Sequence, residues 1–263
     1  MRLYWEVARR GFRRYATYRA ATVAGVLTNS VFGLIRAYIL IAVFRQRGTI
    51  GTFDVTDAIT FTFVTQGLLM PVGAFGRMDI SERIRTGDVV VDLYRPVDFQ
   101  AYWFAHDAGR AAFQLLARGI PPVLVGALVF HLRFPSSPTT WIAFAASLTV
   151  AMILSFALSF ALNLTAFWLI DDRGTNQLAT AIQLFLSGIL LPIVLFPGWL
   201  EAIARNSPFA AIVELPVEVL LGKHPGRALI PVLAIQLLWA AVAVGCGRLV
   251  LGAATRKVVI QGG

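Results

Sequence analysis

Residues 80–99 read ISERIRTGDVVVDLYRPVDF, a polar island between apolar runs that are too long for a soluble domain. Ten of its side chains are charged or hydroxylated, and a basic residue repeatedly stands beside an acidic one, with breaks at Gly87 and Pro96. Working outward, windows of about 20 apolar residues, enough to cross a hydrocarbon core of about 30 Å, fall at 20–44, 57–75, 102–131, 139–170, 175–196 and 228–252. The 263 residues are 57% hydrophobic and only 14% charged, with a mean hydropathy of +0.72. Soluble domains carry about 25% charged residues. The pattern predicts an all-α integral membrane protein with six transmembrane helices, forming one domain over residues 1–263.

The formal charge of +9 would suit nucleic acid only if the basic residues were gathered on one soluble face. They are instead sorted by loop. Arg2, Arg9, Arg10, Arg13, Arg14 and Arg19 precede the first window, and Arg77, Arg83, Arg85 and Arg95 lie between the second and third. Arg173 follows the fourth, and Arg248, Arg256 and Lys257 close the chain. The alternate loops hold fewer: Arg45, Arg47, Arg133, Arg205, Lys223 and Arg227. By the positive-inside rule both termini and the island are cytoplasmic, and no nucleic-acid partner is expected. The start lacks a short apolar core followed by a small-residue cleavage site, so no removable signal peptide is expected.

Within residues 1–19, Tyr4, Trp5, Ala8, Gly11, Phe12 and Tyr15 share one helical arc, and Glu6, Arg9, Arg10, Arg13 and Arg14 the other. This is the pattern of an interfacial amphipathic helix in contact with membrane lipids, the alternative being a basic tail that only sets topology. At membrane depth stand Asn29, Arg36, Gln66, Gln114 and Gln183. Arg36 reads either as snorkelling to the outer interface or as facing a polar path. Asp107, Arg110, Gln114 and Arg118 form one stripe of the third window. It faces either a water-filled vestibule or the neighbouring island, and Pro121 and Pro122 predict a kink beyond it. Between 197 and 227, two short segments containing Glu201, Glu214 and Glu218 read as membrane-dipping helices at the outer end, or as a plain loop.

Catalytic motifs are missing. There is no GxxxxGK followed by Ser or Thr, no HExxH and no GxSxG. His106, His131 and His224 stand at different depths, the adjacent Asp171 and Asp172 point apart, and the single Cys246 excludes an internal disulfide. The sequence therefore predicts no enzyme, no metal site and no cofactor in this chain. The island itself predicts a short helix from Ile80 to Arg85, a turn at Gly87, and an extended or helical 89–93 stopped at Pro96. Ile80, Ile84 and Val91 would make a small apolar ridge amid Glu82, Arg83, Arg85 and Asp88, a composition that suits a partner in water as well as a solvated loop.

The runs IRTGDVVVDLYRPVD (84–98), FQAYWFAHDAGR (99–110) and LSGILLPIVLFPGWLEAIARNSPFAAIVELPVEVLLG (186–222) resemble the membrane subunit of bacterial ATP-binding-cassette exporters. The resemblance is to the small six-span branch of the type-2 permeases and covers essentially the whole chain. It implies a permease half that works with separate ABC ATPase subunits, which bind the ATP and Mg, and with a second permease copy or a sister permease. It also implies a place in the bacterial cytoplasmic membrane. Residues 76–100 would be the cytoplasmic coupling region. There Ile80, Ser81, Glu82, Arg83, Ile84, Arg85, Gly87 and Asp88 would meet the ATPase, and Arg95, Pro96 and Asp98 would brace the return into the third span. Asn29, Arg36, Gln66, Arg110, Gln114 and Gln183 become candidates for a translocation path taking an amphipathic or hydrophobic substrate. A membrane sensor or scaffold that docks a cytosolic partner through residues 80–98 is the alternative reading.

Overall fold

The computed structural model describes residues 2–73, 78–169 and 172–261, with backbone alone for 257–261. The expected span ends at Phe75 and Ile170, the start of the coupling region at Gly76, and the charges of Arg77, Asp171 and Lys257 lie outside the described residues. Every regular element among the described residues is helical: α1 (Arg2–Ala16), α2 (Arg19–Arg47), α3 (Val55–Leu68), α4 (Asp79–Thr86), α5 (Val89–Leu93) and α6 (Phe99–Gln114). These are followed by α7 (Ile120–Val129), α8 (Pro138–Asn163), α9 (Arg173–Leu186), α10 (Gly198–Asn206), α11 (Glu214–Leu220) and α12 (Leu229–Gln261).

Among the described residues, four helical stretches are long and apolar enough to cross a membrane: Arg19–Arg47, Phe99–Val129, Pro138–Phe167 and Gly226–Arg256. The windows at 57–75 and 175–196 are different. Each yields a helix of 14 residues, α3 and α9, about 21 Å long at 1.5 Å per residue. Helix α3 stops because Pro71 has no N–H to continue the ladder and disfavours helical geometry in the residue before it. Helix α9 stops before Gly188 and Pro192, and the chain proceeds through a 3-10 turn at Ile193–Leu195 into α10.

A broken helix inside a membrane bundle must have its free carbonyls satisfied by protein. After α3 this is done by side chains from three other helices. Arg110 of α6 donates to the carbonyls of Met70 (2.9 Å) and Pro71 (3.3 Å), Ser155 of α8 donates to that of Val72, and Gln183 of α9 donates to that of Gly73 at 2.9 Å. Helix α3 begins equally firmly. Asp54 accepts from the Asp57 N–H at 2.8 Å while the Asp57 carboxylate accepts from the Asp54 N–H at 3.1 Å, a reciprocal cap. From Asp57 to Leu68 every residue of α3 is buried, so this short helix meets protein on all sides rather than lipid.

Between α6 and α7 the helix widens into a π turn, Leu115–Gly119. It stands immediately before Pro121 and Pro122, which cannot donate to the preceding turn, so the kink expected there takes the form of a shift to longer-range hydrogen bonding. Helix α1 lies along α6. Its apolar arc packs on protein: Gly11 meets the backbone at His106, Gly109 meets the backbone at Ala8, and Phe12 sets its ring edge against Phe113 at 5.4 Å. Trp5 points away, 71% exposed. Because a Cβ on Gly109 would overlap the Ala8 carbonyl, Gly109→Val is expected to lift α1 off α6 at a cost of about 1–3 kcal/mol. Earlier tryptic cleavage in the Arg-rich stretch 9–14, relative to wild type, checks it.

Candidate functional site

The island folds as two short helices, α4 and α5, joined at Gly87, whose φ of 83° is the left-handed conformation that ends a helix at low cost in glycine. One side of this hairpin is fastened to the bundle. Ile80 and Val89 enter an apolar cluster with Phe99, Trp103, Phe156, Phe160 and Leu164, drawn from α6, α8 and the 3-10 turn after α8. The Met78 N–H donates to Asn163 at 3.0 Å. Ser81 donates to the carboxylate of Asp172, which also accepts from Asn176 at 3.0 Å. Asp79 pairs with Arg14 of α1, with a second contact at 3.3 Å.

The hairpin is also tied to itself. The buried carboxylate of Asp92 takes the guanidinium of Arg83 and, at 3.3 Å, that of Arg95. Arg83 reaches on to the Asp88 carbonyl (3.3 Å), and Thr86 donates to the Asp88 side chain (3.0 Å). Arg95 also lies over the Tyr102 ring, 5.4 Å from its centroid. Pro96 is exposed. Asp98 caps α6 by accepting from the Ala101 N–H at 2.7 Å and pairs with Arg248 of α12 at 2.7 Å. That N–H first, and then the Arg248 guanidinium, hold the Asp98 carboxyl below the usual range although partial burial opposes them. Between α1, α4, α5 and α6 runs a groove of about 400 Å3 lined by Arg14, Asp79, Arg83, Asp88, Asp92 and Arg95 among others.

The opposite side of the hairpin is free. Glu82, Arg85, Thr86, Gly87 and Asp88 are exposed, Arg83 and Ile84 partly so. Beside them stand Val90, Val91 (60% exposed) and Tyr94 (85% exposed). The coupling residues expected from sequence therefore divide. Ile80 and Ser81 face inward, Ile80 because its side chain completes the cluster and Ser81 because it bonds Asp172, and neither can touch a partner. Tyr94 was missed. The signal available for it was an aromatic residue directly before Arg95 in a segment with no apolar periodicity to bury it.

The six residues expected at a translocation path also separate. Asn29, Gln66 and Gln114 are buried where α2, α3 and the π turn meet. Arg36 is half-buried seven residues further along α2, with one guanidinium nitrogen buried and unpaired. Arg110 and Gln183 hold the backbone after α3, as described above, and Arg110 also pairs with Asp107 at 2.6 Å. Two members of the polar stripe thus meet other parts of the bundle. Arg110 packs on residues 70–71 and Arg118 on α2.

At the far end of the bundle, buried charges lock the short helices. Asp57, 1% exposed, accepts from Arg133 at 2.8 Å and Lys223 at 2.6 Å. Although burial opposes it, the Asp57 N–H and Arg133 hold the Asp54 carboxyl below its ordinary range. Helix α11 is buried along its whole length. Its Glu218 pairs with Arg205 (2.9 Å) and His224 (2.8 Å), which keep its carboxyl low against burial. Its Glu214 accepts from the Ile193 N–H at 3.2 Å. Burial, with Glu218 second, pushes the Glu214 carboxyl well above the ordinary range. Among the described residues no three His, Cys, Asp or Glu side chains are grouped to hold a metal ion.

A bundle of long apolar helices with a charged helical hairpin fastened to one end of it defines a multi-pass membrane protein. The chain belongs to the ABC-2 transporter family: the model described as ABC-2 family transporter protein matches residues 32–262. It is therefore a multi-pass membrane component, an ABC transporter permease, and its family implies an ABC ATPase subunit as partner. No curated protein matches the chain.

Proposed function

We propose that this chain is one half of an ATP-binding-cassette exporter. Two such permeases, identical or sisters, enclose the path, and ATP and Mg act on separate ATPase subunits. The observation that carries the reading is the two-sided hairpin. Its outer side, with Glu82, Arg83, Ile84, Arg85, Gly87 and Asp88 beside Val91 and Tyr94, meets the ATPase. Its inner side is fastened to α1, α6, α8 and the start of α9, so displacement of the hairpin is passed to several helices together. Such a linkage suits a switch between inward-open and outward-open arrangements.

Six passes follow from the connectivity in this reading. The chain leaves the hairpin end in α2 and returns through α3. It leaves again in α6–α7 and returns in α8, then leaves through α9 and comes back in α12. Helices α10 and α11 dip in from the far end. With Arg14 and Arg248 both paired at the hairpin end, both termini belong on the cytoplasmic side of the cytoplasmic membrane. Residues 1–19, 76–100 and 197–227 serve as interfacial helix, coupling region and outer re-entrant pair of one domain. Isolated polar groups among apolar helices suit an amphipathic or hydrophobic substrate such as a drug, natural product or lipid-like compound.

The test removes Arg85 and Asp88 together by alanine substitution. Both are exposed and neither fastens the hairpin to the bundle, the Asp88 carboxylate accepting from Thr86 within it, so membrane insertion is expected to be unchanged while stimulation of the copurified ATPase by the permease is lost. Normal transport by this double variant would sink the docking assignment, and the absence of any ATPase from the purified complex would turn the reading to a membrane scaffold.

A further inference from the structure

Where α2 passes the π turn, Arg118 lays its guanidinium directly on the backbone of Gly25, in space that any Cβ would occupy. No carboxylate among the described residues pairs with Arg118, and its buried Nε has no hydrogen-bond partner. One turn along α2, the buried Nδ2 of Asn29 and the adjacent Oγ of Ser30 are also without partners, and so is the buried Oε1 of Gln114, one turn before Arg118. A cation and several buried polar atoms left open together at one helix junction are costly. The nearby outer surface is apolar: Leu27 of α2, Leu116 of the π turn and Ile120 of α7 are exposed. Gly25 lies six residues into α2, about 9 Å from the helix start nearest the α4–α5 hairpin. That depth is near the edge of the hydrocarbon core, which is about 30 Å thick.

We propose that Arg118, with Asn29, Ser30 and Gln114, binds the anionic headgroup of a membrane amphiphile in the leaflet on the hairpin side. The guanidinium supplies the charge and a forked donor geometry suited to phosphate oxygens. Asn29 and Ser30 add neutral donors, and Gln114 offers an acceptor to a headgroup hydroxyl. In this arrangement the acyl chains lie along exposed Leu27, Leu116 and Ile120 and the headgroup turns inward to Arg118. The bare backbone of Gly25 is what lets the cation sit so close to α2. Arg36, further along the same helix, lies deeper and has no such cluster around it. The inference rests on the chain being a membrane protein and not on its being an exporter.

The experiment uses the full chain in nanodiscs of phosphatidylcholine with added phosphatidylglycerol, and reads retained lipid by native mass spectrometry after transfer to detergent. Wild type and Arg36→Gln are expected to retain phosphatidylglycerol over phosphatidylcholine, and Arg118→Gln to lose that preference by about tenfold, as for loss of a charge-assisted contact. Should Arg118→Gln not fold, a photoactivatable phosphatidylglycerol on the wild-type chain is expected to label residues 25–30 and 114–120. Equal preference in wild type and Arg118→Gln would overturn the proposal, as would labelling spread evenly over the lipid-facing helices. Displacement of phosphatidylglycerol by inorganic phosphate at equal concentration would overturn the amphiphile as ligand. Because no readout involves an ATPase, failure here and failure of the exporter reading show up in separate assays.

Discussion

Asp57→Ala is expected to lower stability by about 3 kcal/mol, the largest single loss of the substitutions considered. The carboxylate is 1% exposed and holds Arg133 and Lys223 at once, and removing one member of a buried ion pair typically costs about 3–5 kcal/mol because the partner charge stays behind. Arg133 is 45% exposed and can turn to water, so its share is discounted for screening. Lys223, 15% exposed, cannot do so as easily. Loss of Asp57 also removes half of the reciprocal cap of α3, leaving the Asp54 N–H open. Thermal unfolding of the detergent-solubilised protein should show a midpoint lowered by roughly 5–10 °C. A midpoint within a degree of wild type would mean that the far-end charges are not what fixes α3, α11 and Lys223 together.

The second large effect lies at the other end and concerns binding rather than folding. Val91→Asp combined with Tyr94→Ala should weaken capture of the ATPase about 30-fold, while leaving the unfolding midpoint where it was. Both side chains project outward, at 60% and 85% exposure, so the bundle loses almost no packing. A tyrosine in the middle of an interface is a frequent hot spot, worth about 2 kcal/mol or more, and a charge at position 91 would be buried unpaired against the partner. Titration of the solubilised permease against its ATPase measures this directly. Undiminished affinity would move the docking surface off α5 and onto α4 alone. Ile80→Ala is the contrasting case, because it empties part of the apolar cluster and should act on stability first.

Much of this was legible in the residues. The apolar windows predicted a helical membrane protein, and the mixed charges of 80–99 with Gly87 and Pro96 predicted a short helix, a turn and a stop, which appear as α4, Gly87 and α5. Asp107 and Arg110, three apart on one helix, pair as that spacing requires. The polar residues at membrane depth were harder. Arg110 and Gln183 look in sequence like lining groups, yet they satisfy carbonyls of residues 70–73 on a segment distant in the chain. Which carbonyl lacks a partner is known only once Pro71 has ended α3 and the other helices have closed around it.

The same distinction separates what the sequence determined by itself from what needed the tertiary structure. Hydropathy and its period are local properties, so the chain's membrane class, its helices and the place of its hairpin could be read along the sequence. Span completeness could not, because two windows of ample hydropathy yield 14-residue helices, of which α3 is enclosed by its neighbours and α9 is largely exposed. Nor could the two sides of residues 80–99 be told apart. Ile80, Ile84 and Val91 read alike as one apolar ridge. The positions of Phe99, Phe160 and Leu164, brought in from other helices, bury the first, half-bury the second and leave the third exposed.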